Sequence, residues 1–149
     1  MLPRLALLAQ AIALLAGHAS ALVLPVETPK CLSFSSGASS VALQAGPLKA
    51  QILTSAEDWP GVHRVVSDLS ADFKRTTGTA LAAKNVTTAT VGRAASAIIV
   101  GTLGKSALVD ALVKAGKIDT SAINGKWESF ILKHVSAPLP GITGQCVVV

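Results

Sequence analysis

The chain has 149 residues, with 13 Lys and Arg against 8 Asp and Glu, two Cys, two Trp and no Tyr. Such a length builds one small domain with a core but leaves little room for an enzyme with elaborate loops. The basic excess is scattered, its longest run being the pair Lys74-Arg75 at a predicted helix end; this argues against a nucleic-acid-binding face and tolerates an acidic polysaccharide without specifying one.

Residues Met1 to Ala21 read as a secretory leader. Arg4 supplies the basic start, Leu5 to Ala16 an apolar run broken only by Gln10, and Ala19-Ser20-Ala21 a small-residue cleavage pattern. The run is short for a bilayer span and no stop-transfer pattern follows. A membrane anchor is the competing reading, but an anchor has no need of the cleavage pattern. The expectation is a secreted, extracellular chain with no membrane association once the leader is removed. Without the leader, 128 residues carry 12 basic and 8 acidic side chains, a net charge of about +4. Residues 22–40 read as a connecting segment and residues 41–149 as one α/β domain.

Cys31 to Phe34, Val41 to Gln44 and Ala50 to Thr54 are short strand candidates separated by Ser/Gly- and Gly/Pro-containing turns. Glu57-Asp58-Trp59-Pro60 then announces a helix, with carboxylates at the positive end of its dipole and a proline that the first turn accepts. Val62, Val65, Val66, Leu69 and Phe73 share one predicted face, and Arg64, Asp68, Asp72 and Lys74 the other. Thr77-Gly78 closes this helix, which spans Val62 to Thr76. Residues 77–96 show no clear period. Within them, Asn85-Val86-Thr87 is an acceptor triplet for N-glycosylation, and its flanks read as exposed loop.

The stretch from Ala97 to Val135 reads as a complete strand, helix and strand unit. Ala97 to Val100 is a β-branched apolar run, Gly101 and Gly104 bracket a turn, and Leu108, Ala111, Leu112 and Ala115 form one face of a helix over Lys105 to Ala115. Gly116 stands at the left-handed stop, with Lys114 and Lys117 near the negative end of the dipole. Trp127 to Val135 is predicted as an interior strand, because Phe130-Ile131-Leu132 would be apolar on both faces. The connection is long enough to join parallel neighbours. The predicted fold class is therefore α/β, a layered mixed or mainly parallel sheet with at least two packed helices.

Few residues carry chemistry. Gly101 to Ser106 follows a strand, opens a helix and ends in Gly-Lys-Ser, but the phosphate loop needs a glycine where Ile99 stands. A plain turn is the better reading, although a shorter loop can still aim amides at an anion. His63 and His134 have no metal-ligand spacing around them, and no nucleophile elbow is present. The carboxylates Glu57, Asp58, Asp68, Asp72 and Asp110 all have helix explanations, so no acid and base pair stands out. No cofactor and no metal site is expected. Cys31 and Cys146 lie near opposite ends of the mature chain. A bond between them would stabilise by about 4 kcal/mol, and two separate buried thiols are an equal reading.

Four segments add a resemblance. Residues Asp58 to Gly78, Ile98 to Ser106, Gly125 to Phe130 and Pro138 to Gly141, in this order and spacing, resemble the amino-terminal domain of the family-115 glycoside hydrolases. The resemblance runs from about Val41 to Gly141. Members of that family are secreted xylan α-1,2-glucuronidases, inverting hydrolases that remove glucuronic or 4-O-methylglucuronic acid from glucuronoxylan. Most of their catalytic apparatus lies on a (β/α)8 barrel after this domain.

The family continues past this point into the barrel, whereas this chain ends at Gly144-Gln-Cys-Val-Val-Val149. The resemblance thus implies a fragment, a truncated gene model or a degenerate copy, inactive alone and with no catalytic residue identifiable. It makes a glucuronoxylan-type polysaccharide the expected partner, and Gly101, Thr102 and Lys105 the residues that would hold the sugar carboxylate at a strand end. The alternative is a secreted non-catalytic carbohydrate-binding or structural module. For that reading the aromatics are few, with Trp59 expected as a helix-start anchor and Trp127 as a strand-start core residue.

Overall fold

The computed structural model describes residues 33, 37, 40–45 and 48–148. The chain divides into two units, Met1–Ser33 and Phe34–Val149, and nearly all described residues belong to the second. The predicted leader and most of both the connecting segment and the first strand candidate lie outside the described residues. So does Cys31, and with it the disulfide question.

The second unit begins with a short antiparallel pair, β1 (Gln44–Ala45) and β2 (Leu48–Lys49). Next come β3 (Gln51–Ser55), α1 (Pro60–Thr77), β4 (Ala82–Val86), β5 (Ala97–Ile99), α2 (Ala107–Lys114), β6 (Lys133–Ser136) and β7 (Gln145–Val148). The main sheet has the order β4-β3-β5-β7-β6. β4, β3, β5 and β7 run parallel, and β6 returns antiparallel on the edge beside β7. This is the expected α/β class with a mainly parallel, mixed sheet.

Alternation along the central strands divides the core into two layers. Leu53 and Ile99 pack with Leu108, Leu112 and Ile142 on the α2 side. Their neighbours Ile52 and Ile98 pack with Val66 and Leu81 on the α1 side. Strands buried on both faces explain why Ile52-Leu53 and Ile98-Ile99 are apolar at consecutive positions.

α1 opens with Trp59 as the extended N-cap and Pro60 at the first helical position, where its missing N–H costs nothing. Val66, Leu69 and Phe73 meet the sheet as expected, whereas Val65 is exposed. At 3.6 residues per turn Val65 lies about 60° from the Val62 direction, just outside the stripe that Val66, Leu69 and Phe73 define. α2 is shorter than predicted. Lys105 and Ser106 belong to the preceding turn, both amides donating to the Thr102 carbonyl, and Ala115 is exposed beyond the last helical residue. Gly116, at φ +68°, donates to the Val113 carbonyl and closes the helix as expected. Lys117 lies just beyond this stop, its amide donating to the Leu112 carbonyl at 2.9 Å. Its ammonium binds the carbonyls of Ala137 and Pro138.

The predicted interior strand from Trp127 to Val135 is corrected. Only Lys133–Ser136 forms a strand, on the sheet edge and antiparallel, and the parallel neighbours of β5 are β3 and β7. Trp127 is 89% exposed, Phe130 77% and Leu132 63%. Glu128 at φ +52° turns the chain here, which breaks the extended backbone a long strand would need. Ile131 alone of the apolar triplet packs against the core.

Two strands escape the sequence pattern. β4 is an edge strand with only Val86 buried, so it shows no apolar alternation. β7 lies between β5 and β6, and its pairing with β5 is extended upstream by a bridge between Ala94 and Ile142. There the two backbones approach so closely that a Cβ on Gly144 would overlap the Ala95 carbonyl.

Candidate functional site

β3 leads to α1 on one face of the sheet and β5 leads to α2 on the other, so the connections diverge above the carboxyl ends of two adjacent parallel strands. Open α/β sheets bind ligands at such a point. In this chain a carboxylate of the protein occupies it. Asp58 is 6% exposed, its Oδ1 accepts the Trp59 amide at 2.8 Å, and its Oδ2 accepts the Thr102 amide at 2.9 Å.

The rest of the turn is also satisfied internally. The Gly104 amide donates to Asp110 Oδ1 at 2.8 Å, and the amides of Lys105 and Ser106 donate to the Thr102 carbonyl at 3.1 and 2.8 Å. A phosphate loop needs these amides free, and two carboxylates already hold two of them. The plain-turn reading is therefore correct. Gly101 is required for packing, since a Cβ would overlap Ser106 and come within 2.9 Å of Val109. Ser106 stands at the N-cap of α2 without capping it; its hydroxyl is buried with no hydrogen-bond partner among the described residues.

Lys105 extends over the Trp59 ring, with Nζ 5.0 Å from its centre, a cation–π arrangement that ties the turn to the start of α1. Of the three predicted sugar-binding residues, Lys105 thus lies on a partly exposed indole, Thr102 has its amide committed to Asp58, and Gly101 has no side chain to offer. A cleft of about 490 Å³ opens beside Gly101 and Thr102, and Lys105 is not among its lining residues. Gly101, Thr102 and Gly104 form one wall, and Asn124, Lys126 and Phe130 another. Among the described residues that line this cleft there is no carboxylate.

The remaining candidates are dispersed. His134 is exposed on β6, and the half-buried His63 has an Nδ1 without a partner among the described residues. Asp68 and Asp72 lie on the outer face of α1 beside Arg64 and Arg75. The Ser121 amide and hydroxyl hold the Asp119 carboxyl below its ordinary value, with Lys133 adding to the effect. Among the described residues no group of three or more His, Cys, Asp or Glu could hold a metal ion. None of the described helices is long and apolar enough to cross a membrane. Asn85 is exposed, as expected, but it stands in β4 and not in a loop.

Sequence reasoning missed the role of Asp58, which it read as a dipole-compensating residue. The amide it binds is 44 residues away, and no local pattern announces such a pairing. No protein-family model matches the chain, and no curated protein matches it.

Proposed function

We propose that this chain is the amino-terminal α/β domain of a secreted glycoside hydrolase of the xylan α-1,2-glucuronidase kind, and that it does not cleave glucuronoxylan by itself. The observation that supports this reading is a convergence. The segments starting at Asp58, Ile98 and Gly125, three of the four that resemble the family, meet at the carboxyl end of the parallel strands. Large apolar side chains exposed there, Trp127, Phe130 and Leu132, suit a surface that a following domain covers. The described residues that line the cleft include no carboxylate, so in this reading an inverting hydrolase's acid and base come from elsewhere. Lys105 is the group on this chain that meets the sugar carboxylate.

Sequencing the transcript past the Val149 codon tests the reading. Continuation in frame into a barrel-coding region is expected, and a stop there would remove the hydrolase assignment. The purified 149-residue chain should release no glucuronic acid from glucuronoxylan, and release would refute the non-catalytic role. Binding of glucuronic acid should fall on Lys105→Ala; unchanged binding would remove Lys105 from the site.

The exposure of Trp127 favours a second reading, a non-catalytic module that stacks sugar rings on its aromatics. Retention on insoluble xylan, lost on Trp127→Ala, would select it. Passage through the xylan without retention would reject it.

A further inference from the structure

We infer that an N-linked glycan on Asn85 shields the open edge of the sheet at β4 and prevents copies of the chain from pairing there. An edge strand presents a row of unpaired backbone N–H and C=O groups, and proteins blunt such edges with charge, proline, bends or a cover. The two edges of this sheet differ in that respect. β6 is four residues long and ends at Ser136, followed by Ala137 at φ +42° and by Pro138, which has no N–H; Lys117 binds the carbonyls of both. β4 is five residues long and extended throughout, without proline, and Ala82, Ala83, Lys84 and Asn85 are all exposed. Lys84 is its only charged side chain. β4 is the less protected edge.

The acceptor triplet lies on this edge. Val86 is buried with the α2-side core, so alternation puts Asn85 on the opposite face, in water at the end of the strand. Thr87 then starts a turn, its amide donating to Thr90 Oγ1 at 2.9 Å and its carbonyl accepting the Thr90 amide at 3.0 Å. The triplet is thus reachable where the chain leaves the sheet. Modification transfers an oligosaccharide from a lipid-linked diphosphate donor. A bond forms between the sugar C1 and Asn85 Nδ2, the bond from C1 to the phosphate oxygen breaks, and the amide proton leaves with the diphosphate. The bulky, hydrated product stands beside the exposed row of β4 and excludes another strand.

The inference rests on the reading of Met1 to Ala21 as a secretory leader, and the test separates the two. The full chain is expressed in a eukaryotic secretory host, once with its own leader and once with a proven one. The mass of the product is measured before and after an amidase that removes N-glycans, and its association state by light scattering. Wild type is expected to lose glycan mass on treatment and to be monomeric before it. Asn85→Gln and Thr87→Ala should each lack the glycan and about double or more in scattering mass. Adding Ala83→Lys to Asn85→Gln, which recharges the edge, should restore the monomer, whereas association through Trp127 and Phe130 would persist. Glycan with the proven leader only would overturn the leader reading and leave the edge inference standing. No glycan with either leader, a monomeric Asn85→Gln chain, or association that Ala83→Lys leaves unchanged would each overturn the inference.

Discussion

The carboxylate of Asp58 accepts the amide hydrogen of Thr102 at 2.9 Å, joining the start of α1 to the turn after β5. Its other oxygen accepts the Trp59 amide, so one nearly buried side chain fixes both connections that leave the carboxyl ends of β3 and β5. Asp58→Ala leaves the Thr102 N–H unsatisfied in a half-buried setting and should cost about 1–3 kcal/mol. Asp58→Asn keeps an acceptor oxygen and should cost less. Urea unfolding of the two variants checks the order, and an Asp58→Ala midpoint equal to wild type would show that the bond contributes nothing.

The approach of the 92–95 segment to the 141–144 segment sets a second expectation. Ala94 donates to the Gly141 carbonyl at 3.0 Å and accepts from the Thr143 amide at 3.2 Å, and a Cβ on Gly144 would overlap the Ala95 carbonyl. Backbone cannot move aside as a flexible side chain can. Gly144→Ala should therefore destabilise by about 1–3 kcal/mol, the cost of overpacking a close contact. By contrast Gly61→Ala, with open space around it in α1, should be neutral or stabilising through helix propensity. Thermal unfolding of both variants decides, and equal melting temperatures would contradict the close approach.

What was legible in the sequence follows from how each element is stabilised. α1 and α2 carry local signals: Pro60 at the start, Gly116 at a stop, and apolar residues at helical spacing. β3 and β5, short apolar runs between turn residues, read correctly as strands, although their interior position did not. The rule for interior strands failed for Phe130-Ile131-Leu132, because consecutive apolar residues mark a buried strand only if the backbone is extended, and Glu128 turns it instead. β4 was illegible because an edge strand with one buried residue has no alternation to show. At the site, the glycines and Lys105 were visible as a motif. The carboxylates that neutralise that motif were not, because Asp58 reaches Thr102 through tertiary structure alone.

The Asp119 carboxyl is held in its charged form by its neighbours. The Ser121 backbone amide, donating to its carboxylate at 2.9 Å, holds it below the ordinary aspartate value of 3.8, with the Ser121 hydroxyl and Lys133 acting in the same direction. A depressed folded value means that the fold favours the charged carboxylate. Its contribution is complete above 3.8 and is lost as pH falls through the folded value beneath it. Asp119→Asn should accordingly lower stability at neutral pH, with the gap from wild type closing in acid. An NMR titration of the Asp119 carboxyl carbon should give a midpoint below 3.8, and a midpoint at or above that value would contradict the geometry.

Phe130 and Ile99 separate the observed fold from the one the sequence pattern suggests. If the stretch before β6 were an interior strand, Phe130→Ala would empty a core position and cost about 3–5 kcal/mol. Phe130 is instead largely in water, so the change should stay within about 0.5 kcal/mol, as surface substitutions do. Ile99 is fully buried between β3 and β7 on the α2 side, and Ile99→Ala should cost about 2–5 kcal/mol. Denaturant midpoints of the two variants suffice. A large loss for Phe130→Ala would place that ring in a core and restore the long strand. A near-neutral result together with a large Ile99→Ala loss would leave the loop around Trp127 free to serve as a contact surface.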